Sequence, residues 1–322
     1  MLNRSWTVFR RLAHAALATS ALSLSVPALA VDYNENEPNN SFPPNFLPGN
    51  PLFMSGDRLL GQITANDNDD HYLTVQGGGV GIFRYTFDLN TGGGDSILEI
   101  YDHTASGHFL GRNDDRTFTD RSSLVVFDHF ATSASNPVFG VGIYGFLATD
   151  TFTYALTITR TTTPVTNLGS LGNGVTTHSG AMTSLRASWH QFTLGGLSDL
   201  VVDTSGSNES DTELVIFNSA GQIVGANDDE NAGGGVYTSR VALSNLAAGT
   251  YYAVVGAYPS FYDYDTFTNQ PIGWDRSGFS GGRNVANGGY NLRFNVTPVP
   301  EPATLAAMGL GLAGVLIRRR RK

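Results

Sequence analysis

The sequence reads as all-β: two tandem β-sandwiches of jelly-roll or Greek-key type, between an N-terminal signal peptide and a short C-terminal hydrophobic helix. Three observations predict this. Short runs of β-branched and aromatic residues alternate apolar with polar, recurring roughly every 8–15 residues between Gly/Asn/Asp turns. No long helical period appears between the two ends. The motifs of the first half return, in the same order, in the second.

Taken in order, Arg4, Arg10 and Arg11 precede an Ala/Leu-rich stretch at residues 12–26, and Ala28-Leu29-Ala30 is an A-x-A cleavage site. That is a secretory signal over residues 1–30, cut after Ala30. Candidate strands of the first sandwich, residues 31–160, are 59–64, 71–75, 81–88, 97–101, 109–111, 123–127, 138–144 and 152–159. Seven or eight strands in such a span fit two stacked sheets. The Thr/Pro-rich residues 160–166 read as a linker to a second sandwich over 161–297. There His190-Gln-Phe-Thr-Leu194 answers His71-Tyr-Leu-Thr-Val75, and Asp211-Thr-Glu-Leu-Val-Ile-Phe217 answers Asp95-Ser-Ile-Leu-Glu-Ile-Tyr101. Gly225-Ala-Asn-Asp-Asp229 answers Gly111-Arg-Asn-Asp-Asp115, and Tyr290 to Phe294 answers Tyr154 to Ile158. An insertion of about residues 259–287 lengthens the second copy. At the C-terminus, Pro300-Glu301-Pro302 leads into an uncharged run ending at Ile317, then Arg318 to Arg321 and Lys322. The prolines keep the triplet extended, and the run is shorter than the ~17–25 residues that span a bilayer core. The basic cluster stays cytoplasmic by the positive-inside rule.

Charge excludes some functions. Of 19 basic side chains, eight lie in the two terminal segments, and of 28 acidic ones only Glu301 does. Residues 31–300 therefore carry 27 acidic against 11 basic groups, net −16. A chain of that sign is repelled by nucleic acid and anionic lipid, and it attracts divalent cations. With no cysteine there are no disulfides, thiolate metal sites or Cys nucleophiles.

Two oxygen-rich constellations follow. The first gathers Glu35, Glu37, Asn39 and Asn40 with Asp67, Asp69 and Asp70. Ca²⁺ takes six to eight oxygens in flexible geometry, and carboxylates with amide oxygens supply them. A solvated acidic loop is the plain alternative. The second occurs in both copies: an Asp opening one strand of a hairpin, and an Asn-Asp-Asp where the hairpin closes. These are Asp95 with Asn113, Asp114 and Asp115, and Asp211 with Asn227, Asp228 and Asp229. Strand-out and strand-back bring the two ends together. Asn-Asp-Asp is also a good turn former in its own right. In the insertion, Tyr262 and Trp274 among acidic neighbours suit stacking on sugar rings, or folding back as a small core. The seven histidines form no H-E-x-x-H pattern, and no serine-hydrolase elbow is expected, so the reading is non-enzymatic.

The C-terminal residues Pro300-Glu301-Pro302, apolar run and basic cluster together resemble the PEP-CTERM sorting signal of Gram-negative bacteria, covering residues 298–322. That resemblance implies recognition by an exosortase-type processing enzyme, transient inner-membrane anchoring, and delivery to the cell surface or extracellular matrix, often alongside exopolysaccharide and biofilm. Glu35-Asn-Glu37-Pro38-Asn39-Asn40, Asp67-Asn-Asp69-Asp70-His-Tyr72, the Asp95 strand, and Ala248-Gly249-Thr250-Tyr251-Tyr252 resemble the bacterial pre-peptidase C-terminal (PPC) domain. In that family the acidic segment folds back and binds Ca²⁺ with the Asp-rich loop. The second copy has Ser184 to Trp189 in place of the acidic segments, so equal ligand capacity does not follow. The expectation is a calcium-stabilised surface or matrix protein that binds polysaccharide. An accessory module for a secreted hydrolase, or an unrecognised hydrolase, is the alternative.

Overall fold

A computed structural model describes residues 30–35, 45–103, 108–116, 119–181, 187–208, 211–257, 261–265, 270–275 and 288–300. Most of the stretch expected as a signal peptide (Ala28 included), Glu37, Asn39, Asn40, and the C-terminal segment with Glu301 and Pro302 lie outside the described residues. Among the described residues no helix is long and apolar enough to cross a membrane.

The described chain is almost wholly β. The first group of strands is β1 (Asp32–Asn34), β2 (Asn45–Phe46), β3 (Leu52–Phe53), β4 (Arg58–Ile63), β5 (Asn68–Val75), β6 (Gly81–Asn90), β7 (Ser96–Asp102), β8 (His108–Asn113), β9 (Leu124–Ala131), β10 (Val138–Gly145) and β11 (Phe152–Thr162). They form two sheets, ordered β1-β4-β11-β6-β9 and β2-β5-β10-β7-β8, with β3 also beside β5. The second group is β12 (Val165–Leu171), β13 (Gly174–Ala181), β14 (Ser188–Leu194), β15 (Ser198–Asp203), β16 (Thr212–Asn218), β17 (Ile223–Asn227), β18 (Arg240–Leu246), β19 (Gly249–Ala257), β20 (Phe261–Asp265), β21 (Gln270–Asp275) and β22 (Gly289–Pro298). Its sheets run β12-β14-β19-β16-β17 and β13-β22-β15-β18, and β20-β21 is a separate hairpin inside the insertion.

The sequence repeat is a topological repeat. From β4 to β11 the chain changes sheet at every connection except the β7–β8 hairpin, and from β13 through β19 to β22 it does the same around β16–β17. Each sandwich also carries a parallel edge strand, β2 on β5 and β12 on β14. Period-two burial drives this. In β7 alternate residues Leu98 and Ile100 are fully buried while Ile97, Glu99 and Tyr101 face outward, and β5 and β6 alternate likewise. The inward rings meet between sheets: Phe139 of β10 lies 5.1 Å from Tyr85 and 5.5 Å from Phe87 of β6. In the second sandwich Phe192 of β14 lies 5.1 Å from Phe294 of β22. Fully burying such a side chain contributes about 1.5–3 kcal/mol.

Two expectations change. The Thr/Pro stretch at 160–166 is not a free linker: β11 runs to Thr162, β12 begins at Val165, and only Thr163 and Pro164 lie between. Thr163 is buried, its N–H donates to the Ile82 carbonyl, and its hydroxyl donates to Asp128 at 3.1 Å. The strand expected at 71–75 begins earlier, at Asn68, which redirects the aspartates before it.

The two sandwiches share a continuous apolar seam. Trp189, Val215, Phe217, Ile223 and Val254 of the second join the first core, with Phe130 at 5.2 Å from Tyr252. A buried polar knot pins the seam. Arg84 grips Asp128 with two 2.7 Å hydrogen bonds, and the Trp189 indole N–H donates to the same carboxylate at 2.9 Å.

Candidate functional site

The candidate residues fall into three places. In the first sandwich, β5 carries its aspartates on alternating faces. Asp69 points inward and is fully buried, Asp70 points outward to accept a 3.1 Å bond from Tyr144, and Asp67 caps its own turn by accepting from Thr64. The three therefore do not converge. Asp69 instead meets Glu35, which follows β1: that strand lies parallel to β4, and the Glu35 backbone N–H donates to the Leu60 carbonyl. One oxygen each from Glu35 and Asp69 and a ring nitrogen of His71 lie within 4.8 Å of one another. Tyr154 donates to Glu35 at 2.7 Å and lies 3.5 Å from His71 Nε2, while the Gln62 N–H donates to Glu35 at 2.5 Å.

This pair of carboxylates has split titration. Burial and the Glu35 charge push Asp69 up to about 9. Burial also works against Glu35, but hydrogen bonds from His71, Asp69, Tyr154 and the Gln62 backbone hold it down at about 2. Two buried carboxylates at this range retain one proton between them unless a cation takes its place. Beyond Glu35 and Tyr154, neither Asp69 oxygen has a hydrogen-bond partner among the described residues.

Tertiary structure supplies a device that sequence reading missed. Gly61 of β4 lies opposite Tyr154, and the Tyr154 ring and the Glu35 carboxyl fill the space a side chain there would need. Gly180 of β13 lies opposite Tyr290 in the same way. In both copies the tyrosine hydroxyl then reaches the equivalent histidine, His190 Nε2 being 2.7 Å from Tyr290. The signal was present as the paired His and Tyr motifs, but the glycines between them had no local pattern. In the second copy Ser188 stands where Asp69 does, and His178 packs 4.8 Å from His190. Burial and the His178 charge lower His190 to about 4. That site is a neutral polar core, with no carboxylate pair.

The other two places are the hairpin rims, and here hairpin geometry does what the spacing implied. Carboxylate oxygens of Asp95, Asp114 and Asp115 lie within 4.8 Å of one another, and so do those of Asp211, Asp228 and Asp229. The asparagines have a structural task. Asn113 Oδ1 accepts the Leu124 N–H at 2.8 Å, and Asn227 Oδ1 accepts the Arg240 N–H at 2.7 Å, each stapling the next strand to the hairpin. A buried serine, unforeseen in the sequence although it recurs as Ser-Leu-Val and Ser-Arg-Val, completes each rim. Ser123 donates to the Asp114 carbonyl at 3.1 Å, and Ser239 to that of Asp228 at 2.8 Å. Burial first, then neighbouring aspartates, raises Asp114, Asp115 and Asp228. The rims differ in charge: Arg121 ion-pairs with Asp95, while Tyr237, 45% exposed, stands at the matching position of the second.

The insertion forms the β20–β21 hairpin, in which Tyr262 and Trp274 are direct cross-strand partners. The hairpin leaves β19 at Ala257, opposite Thr212 and beside the second rim, and β21 lies against β8 and β9 of the first sandwich. Contrary to the sequence expectation, a G-x-S-x-G string does occur, Gly278-Phe279-Ser280-Gly281-Gly282. It lies outside the described residues, and the hydrolase elbow requires a strand-to-helix turn.

A family model described as the PEP-CTERM protein-sorting motif matches residues 298–321. The chain thus carries the signal of an exosortase-sorted extracellular protein. No curated protein matches the sequence. Among solved structures, the pre-peptidase C-terminal domain of a Bacillus anthracis collagenase is 13% identical, over 42% of this chain and 95% of that one, with TM-score 0.24. The CUB1-EGF-CUB2 region of human MASP-1/3 is 7% identical over 74% and 99%, TM-score 0.20. A triple-jelly-roll turret protein of an archaeal virus is 11% identical over 75% and 58%, TM-score 0.21.

Proposed function

We propose that this protein is a non-enzymatic, calcium-stabilised component of the cell surface or extracellular matrix, associated with exopolysaccharide and released to its place by an exosortase. The sorting motif at residues 298–321 carries the reading. Three carboxylate clusters in a chain segment of net −16 support the calcium, with Glu35 and Asp69 at the first site and the two aspartate triads at the rims. Ca²⁺ would be held there by carboxylate oxygens, its usual ligands. The buried histidines support a structural role: His71 and His190 are both engaged by tyrosines. The cross-strand pairing of Tyr262 with Trp274 supports sugar stacking at the hairpin.

The test is fractionation of the host carrying the chain with Glu301→Ala. Disrupting the signal should leave unprocessed protein at the inner membrane and deplete the surface and matrix fractions. An unchanged distribution would sink the sorting half of the reading. A zymogram with Ser280→Ala alongside decides the hydrolase alternative, which requires activity that the substitution abolishes.

A further inference from the structure

The outward face of the β5-β10-β7 strands is built unlike the rest of the surface. Its central strand β10 presents Gly140 and Gly142, which pair with Tyr72 and Asp70 of β5 on one side and with Tyr101 and Glu99 of β7 on the other. A Cβ on Gly140 would rest 3.4 Å from Tyr101 Cβ and 3.6 Å from Tyr72 Cε1, so these two side chains lean over the glycine backbone and bury it. The Tyr144 ring folds back over Gly142 in the same manner. Next to Tyr72, His103 stacks at 3.9 Å, and Phe46, 44% exposed, lies at 5.3 Å. The result is a run of aromatic rings on a flat sheet face.

Its polar groups are acidic. Glu99 accepts from the Tyr101 hydroxyl at 2.6 Å and Asp70 from the Tyr144 hydroxyl at 3.1 Å. Arg112, 3.4 Å from Glu99, is the cation paired with this cluster among the described residues. Burial, then the charges of Asp70 and Glu99, push the Tyr144 hydroxyl well above its ordinary range, a sign of the negative potential here. That potential selects a ligand with positive charge. The strands involved are interior to the sheet, so their backbone groups are already paired. An extended peptide, which binds by adding to a sheet edge, gains no main-chain hydrogen bonds on this face. A sugar chain needs none: its C–H faces stack on rings and its hydroxyl and amino groups donate to carboxylates.

We infer that this face binds an amino-sugar polysaccharide, a hexosamine chain with free ammonium groups, stacked on Tyr72 and Tyr101 and paired with Asp70 and Glu99. The inference deepens the matrix reading above and rests on it for its biological setting. The site is distinct from the insertion hairpin.

Titration calorimetry of the full-length protein with a glucosamine hexamer tests it, with the fully N-acetylated hexamer and a lysine-rich peptide of equal charge as competitors. The glucosamine hexamer should bind. Glu99→Gln and Asp70→Asn, which keep shape, should each weaken it about tenfold, and Tyr101→Ala should do so more strongly. Gly140→Ala, whose added methyl meets only ordinary contacts, should also weaken binding without lowering the melting temperature. Equal affinity for the acetylated hexamer or the peptide overturns the inference, as does undiminished binding by Glu99→Gln and Asp70→Asn. Either result leaves the sorting test untouched, and a failed sorting test leaves this binding measurement standing.

Discussion

At the register positions where the first sandwich carries Tyr72, Gly140 and Tyr101 across three strands, the second carries Gln191, Tyr252 and Phe217. One row along, Asp70, Gly142 and Glu99 are matched by Trp189, Val254 and Val215. The same outward face of the same fold is glycine-floored, acidic and half-buried in one copy, and apolar and packed against its twin in the other. Duplication supplied two equivalent faces. Valine and tryptophan in place of glycine and acid make one of them a docking surface. The difference teaches that a repeat in this chain is conserved in its inward residues and hairpin rims, and diverges on the outer faces.

The largest expected effect strikes the docked face. Phe217→Ala opens a cavity in the seam and should cost about 3–5 kcal/mol in denaturant unfolding. Tyr101→Ala, at the matching position of the open face, should cost about 1 kcal/mol. Equal losses would break the comparison. Calcium comes next. With a Kd on the order of 10⁻⁴ M and about 2 mM free ion, each occupied site adds roughly 1.8 kcal/mol, so a chelator should lower the melting temperature.

The size of that calcium effect should depend on pH, and the sign follows from the Glu35–Asp69 pair. Asp69 has its folded value raised from 3.8 to about 9, so the metal-free native state keeps a proton that the unfolded chain releases above pH 3.8. Metal-free stability from this group therefore falls as pH climbs from about 4 toward 9. Glu35, lowered from 4.5 to about 2, acts oppositely and loses its contribution only as pH falls through that lower range. A cation that displaces the proton removes the alkaline loss, so the melting increment from calcium should grow between pH 5 and pH 9. A flat or shrinking increment would remove the Glu35–Asp69 site from the calcium account.

The smallest contrast compares the two tyrosine–histidine cores. Tyr154→Phe deletes a bond to a carboxylate and should cost about 1.5–3 kcal/mol, while Tyr290→Phe deletes one to a neutral imidazole and should cost about 0.5–1.5 kcal/mol. Chemical denaturation of both variants reads the difference directly. Reversal of that order would mean the first core is not the more strongly charged of the two.

How much was legible beforehand varies by residue. Asp95 and Asp115 could be placed together from sequence because a hairpin is local: strand, turn and return strand leave little freedom in where the ends meet. Glu35 and Asp69 were expected at one site, yet Asp67 and Asp70 were grouped with them, and they separate because β5 starts three residues earlier than its apolar pattern suggests. One residue of register decides which side of a strand an aspartate faces. Ser123 and Ser239 went unseen because a serine before a strand carries no signal until the hairpin it staples is in place.

The amino-acid order alone determined the all-β class, the twin arrangement and the C-terminal sorting motif, since alternation, turns and terminal charge are properties of neighbouring residues. The tertiary structure decided which outer face is covered, that Thr163 forms a buried joint, and that Gly61 and Gly180 make room for tyrosines that reach histidines. Those outcomes depend on surfaces meeting across long stretches of chain, where burial of Trp189 against Asp128 is settled only once both sandwiches exist.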